Sequence, residues 1–169
     1  MAPEQVAAAR RSEWSLVLTE QKPVSCDCFP PLAGAEVLCL ASCGGRQGPL
    51  LAAAGARVTV FDASDAQLAQ DRLVAERERL PLRLEQGDMA DLSRFQSGHF
   101  DLVFHPVSNC FAQEIAVVWR EAARVLRPGG VLLSGFLNPD LYIFDLDAAD
   151  RGELVACHAL PYTNSRSLD

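Results

Sequence analysis

The sequence lacks the features that would indicate a membrane or secreted protein. It has no uninterrupted apolar run of about 18 residues, which a membrane-spanning helix requires. Charged side chains interrupt the first part of the chain at Glu4, Arg10, Arg11 and Glu13, so this part does not have the apolar centre of a secretory signal. Internal repeats and low-complexity tracts are also absent. We therefore expect a cytoplasmic protein with no membrane partner.

The sequence also has little clustered basic charge. Its formal net charge is −7, and acidic residues surround the densest basic groups, which are Arg10-Arg11 and the series Arg77, Arg79 and Arg83. A protein that binds DNA or long RNA normally presents a basic face to the phosphates. We therefore expect no nucleic-acid partner and favour a small-molecule or protein substrate.

The cysteines do not follow the pattern of a metal site. There are six of them, and in an apparently cytosolic chain we expect free thiols rather than disulfides. The spacings Cys26-x-Cys28 and Cys39-x3-Cys43 differ from the usual zinc-binding pairs, and no histidine lies near either pair. The sequence therefore predicts no metal site.

What the sequence does contain is an alternation of short apolar strands and helical segments. Strands are predicted at 36–40, 57–61, 82–85, 100–104 and 131–136, and the main helices at 47–54, 64–80 and 114–126. Ser64 followed by Gln67 is typical of a helix capping box, and Pro128-Gly129-Gly130 is expected to turn the last helix into the fifth strand. The pattern indicates an α/β, Rossmann-like, doubly wound and mostly parallel sheet with about five core strands.

The chain length of 169 residues suits one such domain. We divide the chain into an N-terminal helical or irregular segment at 1–35, the core at 36–139, and a partial C-terminal extension at 140–169. A short extra strand at 153–158 is the one strand expected in that extension.

Ligands bind such a sheet beyond the carboxyl ends of its strands, so function is sought in the loops there. The first loop, 41–48, is rich in small residues that let a ligand approach the main chain at a helix N-terminus, although an ordinary tight turn has the same composition. Asp62 directly follows the second strand, where a carboxylate can accept both hydroxyls of a ribose. A helix-capping aspartate is the alternative interpretation.

Two further loops carry candidate residues. In Gly87-Asp88-Met89, the aspartate can accept a hydrogen bond from an exocyclic amine such as that of adenine, and the Met89 thioether can lie along the ring. A simple Gly-Asp turn is the alternative. After the fourth strand, His105 is a candidate base or substrate-orienting residue and Asn109 a candidate hydrogen-bonding residue. The alternatives are a core histidine and a turn residue.

Taken together, these loops resemble those of class I S-adenosylmethionine-dependent methyltransferases. The first motif of that family has an acidic residue, an apolar residue and then Gly-x-Gly-x-Gly. Here Cys39 stands at the acidic position, Ala41 and Cys43 stand at glycine positions, and Gly45 matches. Matches to further family motifs are Phe100-Asp101-Leu102-Val103 and Arg124-Val125-Leu126-Arg127-Pro128-Gly129-Gly130, and the resemblance covers roughly 36–139.

The resemblance implies S-adenosyl-L-methionine as cofactor. It places the methionine portion at Ala41, Ser42, Cys43 and Gly45, and the other contacts follow in chain order: the ribose at Asp62 and Ala63, the adenine at Asp88 and Met89, and His105 beside the reacting group. The runs 37–42 and 105–111 look like those of a bacterial branch of the family with no settled substrate. In that branch Cys39 and Ala41 look ordinary, whereas a glycine is expected in place of Cys43. The catalytic residues are not identified by the motifs, and His105 and Asn109 are the candidates.

The resemblance also implies a last helix and a closing C-terminal antiparallel hairpin, which the residues after the fifth strand do not supply. We therefore expect a C-terminally truncated core whose fifth strand presents an open apolar edge, a site for possible self-association. Three functions remain in competition. They are methyl transfer to a small-molecule or protein acceptor, an NAD-binding oxidoreductase suggested by Cys43-x-Gly45-x-x-Gly48 followed by Asp62, and a non-catalytic remnant suggested by Cys43 and the absent hairpin.

Overall fold

The computed structural model describes residues 1–18, 22–136, 138 and 143–158. The chain forms two compact units, 1–136 and 137–169. The sequence placed a boundary after residue 139, close to the division between the units. The separate segment expected at 1–35 lies within the first unit, because Val6 and Ala9 of its helix are buried in the same apolar cluster as Leu50 and Leu51.

The first unit is built on a five-stranded sheet in which every pair of neighbouring strands is parallel. The order across the sheet is β3-β2-β1-β4-β5, so β1 has β2 on one side and β4 on the other. The strands are β1 (Glu36–Leu40), β2 (Arg57–Asp62), β3 (Leu82–Gln86), β4 (Phe100–His105) and β5 (Leu126–Ser134). The α/β, Rossmann-like, parallel fold predicted from the sequence is confirmed.

Helices cover both faces of the sheet. They are α1 (Pro3–Arg10), α2 (Gln47–Ala53), α3 (Asp65–Glu78) and α4 (Ile115–Val125), with short 3₁₀ turns at Cys26–Cys28 and Asn109–Phe111. Val37 and Cys39 of β1 join the apolar cluster on one face, whereas Leu38 and Leu40 join the cluster on the other. This alternation is why the strands read as continuously apolar. None of the described helices is long and apolar enough to cross a membrane.

The helix ends follow the sequence signals. The Ser64 hydroxyl accepts the N–H of Gln67, which is one half of the predicted capping box. The other half does not form, because the Gln67 side chain accepts from Gly44 and the Ser64 N–H donates to Asp62 instead. The helix α2 ends two residues before Gly55, which has a φ of +101°. The helix α3 ends at Glu78, because Arg79 takes a left-handed conformation before Leu80 and Pro81 are reached.

Two predicted strand positions are wrong. The fifth strand starts at Leu126 rather than 131, because Leu126 already pairs with Phe100 before the Pro128-Gly129-Gly130 turn interrupts the register. In the second unit, the strand expected at 153–158 is replaced by a single antiparallel bridge between Phe144 and Ala156. Pairing cannot extend further, because the partner backbone turns into α5 (Leu146–Asp150) two residues later.

Candidate functional site

The strand order reverses between β1 and β4, so a crevice for a ligand is expected at the carboxyl ends of these strands. The loops after β1, β2 and β3 start side by side at this edge. Leu40 is paired with Phe61, and Asp62 is paired with Gln86. Three of the four loops selected from the sequence therefore lie next to one another.

The loop after β1, residues 41–45, has an unusual backbone. Ala41 and Cys43 both have a positive φ, +48° and +47°, in the left-handed region that normally favours glycine. Each costs roughly 1 kcal/mol or more relative to glycine. Gly44 cannot be replaced without movement, because a Cβ there would lie 2.0 Å from the main-chain oxygen of Gln67. The loop thus has a left-handed backbone at two positions that carry side chains.

Side chains from other elements hold this loop. The Ser108 hydroxyl, from the loop after β4, donates to the Ala41 carbonyl oxygen. The buried Gln47 side-chain amide at the start of α2 donates to the carbonyl oxygens of Ser42 and Cys43 over 2.7 and 2.9 Å. These contacts satisfy the carbonyl oxygens of three consecutive loop residues, 41–43.

The helix α3 holds the two glycine amides of the same loop. Gln67 Oε1 accepts the N–H of Gly44 over 2.6 Å, and Asp71 Oδ1 accepts the N–H of Gly45 over 2.8 Å. Sequence reasoning missed Gln67 and Asp71 as site residues. A signal for Asp71 was present, because it lies three residues from both Leu68 and Val74 on the buried face of α3.

Asp71 is a buried carboxylate, with its residue only 2% exposed. Burial raises its pKa to about 6; the Gly45 N–H acts in the opposite direction, the Asp62 carboxylate raises the pKa further, and the chain's amino terminus lowers it. The neighbouring Cys39 thiol is fully buried, and burial together with the Asp71 charge raises its pKa well above the usual range. Cys39 is therefore a neutral thiol near pH 7.

Asp62 lies directly at the end of β2 and is half-buried. Its Oδ1 accepts the N–H of Ser64 over 2.8 Å, which forms a local turn ahead of α3, whose N-cap is Ser64 rather than Asp62. Its Oδ2 has no hydrogen-bond partner among the described residues. The next residue, Ala63, is exposed, and its carbonyl oxygen accepts from the Gln86 side chain. The carboxylate can thus hold this turn and still accept from a ligand.

Asp88 has a similar arrangement after β3. Its Oδ1 accepts the N–H of Ala90 over 2.8 Å, whereas within the described part of the chain its Oδ2 has no partner. The N–H of Gly87 donates to the main-chain oxygen of Asp62, which keeps the two loops together. Met89 is half-buried against the apolar cluster that includes Phe61. The two aspartates therefore present acceptor oxygens at the tips of neighbouring strands.

His105 and Asn109 are arranged differently. His105 is 1% exposed, and its Nδ1 lies 2.8 Å from the Leu40 carbonyl oxygen. Its Nε2 lies 2.9 Å from Asn109 Oδ1. The Asn109 amide donates to the Gly135 carbonyl oxygen over 2.7 Å, and the Trp119 indole N–H donates to Asn109 Oδ1. Both ring nitrogens thus contact protein oxygens, and the network joins the ends of β1, β4 and β5.

Metal ligands do not gather in the part of the chain that the structure describes, where no group of three or more His, Cys, Asp or Glu side chains is suited to hold an ion. The six cysteines are free thiols. Cys43 is exposed at the first loop, and Ser42 and Gly45 are buried within it.

The chain is similar to known methyltransferases along most of its length. A family model described as a methyltransferase domain matches residues 38–134. The uncharacterized methyltransferase YbaJ of Bacillus subtilis (strain 168) is 47% identical over 163 residues, which cover 96% of this chain and 64% of that protein. This chain thus spans less than two thirds of the length of that relative.

Solved structures share the fold. The arsenic (III) S-adenosylmethionine methyltransferase CrArsM from Chlamydomonas reinhardtii has a TM-score of 0.57 and 27% identity, covering 78% of this chain and 48% of that one. The [4+2]-cyclase SpnF has a TM-score of 0.54 and 27% identity, covering 59% of this chain and 38% of that one. With the family match over more than half of its residues and a relative at 47% identity, this chain belongs to the class I S-adenosylmethionine-dependent methyltransferase family.

Proposed function

We propose that this chain binds S-adenosyl-L-methionine at the carboxyl ends of β1, β2 and β3, for methyl transfer to a small-molecule or protein acceptor. The observation that carries the proposal is the pair Asp62 and Asp88. Each holds its own loop with one carboxylate oxygen and keeps the other oxygen without a partner among the described residues. The cofactor, when bound, would supply a methyl group carried on a positively charged sulfur, and this sulfur would leave as a neutral thioether when a nucleophile bonds to the methyl carbon.

The donor and acceptor groups present fit this cofactor. Asp62 Oδ2 can accept from the ribose hydroxyls with Ala63 beside it, and Asp88 Oδ2 can accept from the adenine amine with Met89 against the ring. The loop of Ala41, Ser42, Cys43 and Gly45 would adjoin the methionine portion. Ser42 and Gly45 are buried, so they would act by shaping this loop, whereas the exposed Cys43 side chain points out of it.

On the acceptor side, His105 and Asn109 are best explained as positioning residues. Their polar atoms already bind protein groups, so a role for His105 as a base would require the ring to leave the Leu40 and Asn109 oxygens. Methyl transfer needs no protein base when the acceptor is a good nucleophile, because alignment and exclusion of water then suffice. The acceptor is unidentified.

The fold alone does not require methyl transfer, because the fold neighbour SpnF is named a cyclase. Cofactor binding and transfer are therefore tested separately. An NAD-dependent oxidoreductase has no support from the family match or from the relatives named above.

The binding test is calorimetric titration with S-adenosylhomocysteine. We expect Asp62→Ala to bind about 30-fold more weakly than the wild type, because hydrogen bonds to a charged acceptor are each worth about 1.5–3 kcal/mol. Glu76→Ala, which removes an exposed carboxylate from the far end of α3, should bind like the wild type. Equal affinities for the wild type and Asp62→Ala would contradict the ribose role, and binding of NADH in preference to the nucleoside would contradict the cofactor.

The transfer test follows the appearance of S-adenosylhomocysteine when the protein, S-adenosylmethionine and a fractionated metabolite extract are combined. We expect product that depends on the extract and is lost in Asp62→Ala. A wild-type protein that shows no rise in melting temperature with either nucleoside would support the non-catalytic alternative instead.

A further inference from the structure

The first loop lacks the carboxylate that the sequence motif leads one to expect on β1. Cys39 stands at the acidic position of the motif, and its side chain is completely buried. Burial and the charge of Asp71 raise the pKa of the Cys39 thiol, so it carries no charge near neutrality. The strand therefore contributes no negative charge to the loop.

A carboxylate reaches the same loop from α3. Asp71 is 2% exposed, and its Oδ1 accepts the N–H of Gly45 over 2.8 Å. It lies close enough to Cys39 for its charge to act on the thiol. One of these two buried side chains thus comes from the strand and the other from the helix.

We propose that Asp71 supplies from α3 the carboxylate that β1 lacks at Cys39. In this role it is a positioning residue. It fixes the Gly45 amide and places a negative charge beneath the loop that stabilises the sulfonium of the cofactor. The inference rests on the proposed function, because it assigns Asp71 to the same cofactor site.

The charge itself is what calls for an explanation. An asparagine at position 71 would also accept the Gly45 N–H, and it would avoid the cost of burying a charge. Burial raises the pKa of Asp71 to about 6, which means that burial destabilises the charged carboxylate. A cationic ligand beside the loop would offset this free-energy cost, since charges interact strongly where water is excluded.

The sulfonium gives a direct test, because S-adenosylmethionine carries this positive charge and S-adenosylhomocysteine does not. Affinities for both ligands are measured by calorimetry at pH 8 for the wild type, Asp71→Asn and Asp71→Ala. We expect Asp71→Asn to weaken S-adenosylmethionine binding about tenfold, and S-adenosylhomocysteine binding less than about threefold. We expect Asp71→Ala to weaken both, because Gly45 loses its acceptor. Glu76→Gln makes the same chemical change at an exposed position of α3 and should change neither affinity.

A pH series on the wild type does not depend on any variant folding. The groups that face Asp71 are the Asp62 carboxylate, the Cys39 thiol, the Gly45 N–H and the chain's amino terminus. As pH falls from 8 to 5.5, most Asp71 carboxylates gain a proton, and the preference for S-adenosylmethionine over S-adenosylhomocysteine should shrink about threefold. In Asp71→Asn this preference should stay constant over the same range.

Moving the carboxylate provides the complementary result. Cys39→Asp combined with Asp71→Asn places the acid on β1, and a recovery of S-adenosylmethionine affinity to within about threefold of the wild type supports the inference. A folded double variant that remains as weak as Asp71→Asn overturns it, as does a wild-type preference unchanged by pH. Wild-type protein that binds neither ligand would contradict the proposed function itself, which separates the two failures.

Discussion

The two sides of the crevice differ in how much hydrogen-bonding capacity their polar groups have left. On the side of β2 and β3, Asp62 and Asp88 each use one oxygen for a local turn and keep the other without a described partner. On the side of β4 and β5, His105 and Asn109 use their polar atoms on one another and on main-chain oxygens. The first side can accept hydrogen bonds from a ligand, and the second side holds the strand ends together.

This difference shows how a polar residue at a strand tip should be interpreted. A polar residue at a strand tip points to ligand binding when an atom remains unsatisfied, and to structure when all of its atoms are engaged. The histidine at the end of β4 belongs to the second kind even though it lies at the crevice. The comparison predicts that changes on the β4–β5 side will mainly affect stability and that changes on the β2–β3 side will mainly affect affinity.

The largest expected effect is on the structural side. His105→Ala should lower the free energy of unfolding by about 3 kcal/mol, because it leaves a cavity and removes the ring that contacts the Leu40 and Asn109 oxygens. Urea unfolding at pH 7 measures the change. His99→Ala, at an exposed histidine that contacts Phe100, should cost less than about 1 kcal/mol. A loss of similar size in the two variants would remove the distinction between the sides.

The next effect concerns Asp71, whose pKa is raised from its usual value of 3.8 to about 6 by burial. A raised pKa means that the folded state favours the protonated carboxyl group. Protonation of Asp71 therefore stabilises the folded state, and this stabilisation is complete below pH 3.8 and is lost as pH rises through about 6. Relative to Asp71→Asn, the wild type should lose about 2 kcal/mol of unfolding free energy between pH 4 and 7, as an order of magnitude.

Urea titrations of both proteins at three pH values in that range measure the difference. The Glu76→Gln curve should run parallel to that of the wild type, since this side chain is exposed. Parallel curves for the wild type and Asp71→Asn would show that the carboxylate is not destabilised by burial. A variant that is more stable at neutral pH but binds S-adenosylmethionine more weakly would place Asp71 with the ligand-binding side.

A smaller effect is expected at Asp88. Asp88→Ala should weaken S-adenosylhomocysteine binding about tenfold, the low end of the effect of losing one hydrogen bond to a carboxylate, and it should change stability little because the side chain is exposed. The matched control is Asp91→Ala. Asp91 is also exposed and makes the same kind of local turn, accepting the N–H of Ser93 over 3.0 Å. If Asp91→Ala weakens binding as much as Asp88→Ala, the adenine role assigned to Asp88 is wrong.

Much of this arrangement could be predicted from the sequence, because local signals determine it. Each core strand is a short apolar run between loop residues, and the tip position of Asp62 follows from counting to the end of β2. The Ser64 cap needs only a spacing of three residues. These features depend on neighbours in the chain.

The rest depends on how distant elements pack. Asp71, Gln67 and Gln47 reach the first loop only because α2 and α3 lie against it, and no sequence pattern gives that distance. The early start of β5 depends on the partner Phe100, and the enclosure of His105 depends on Asn109 and the Leu40 carbonyl. Sequence signals therefore located the strand tips but not which polar atoms there are already satisfied.

The smallest expected effect tests the backbone of the first loop, where the two sides meet through the Ser108 contact with Ala41. Ala41→Gly should raise the free energy of unfolding by up to about 1 kcal/mol, because glycine adopts the left-handed conformation without strain. Ala54→Gly, at a φ of −76°, should lower it by about 0.5–1 kcal/mol, and urea unfolding compares the two.

Cys43→Gly should stabilise the protein to a similar degree, since Cys43 has nearly the same φ as Ala41. Its effect on S-adenosylhomocysteine affinity shows whether the exposed Cys43 side chain hinders the cofactor. We expect an improvement of no more than about threefold, because Gln47, Gln67 and Asp71 already hold the loop in place. A gain of a hundredfold would mean that these contacts do not preorganise the loop and that the ligand-binding side is incomplete without the glycine.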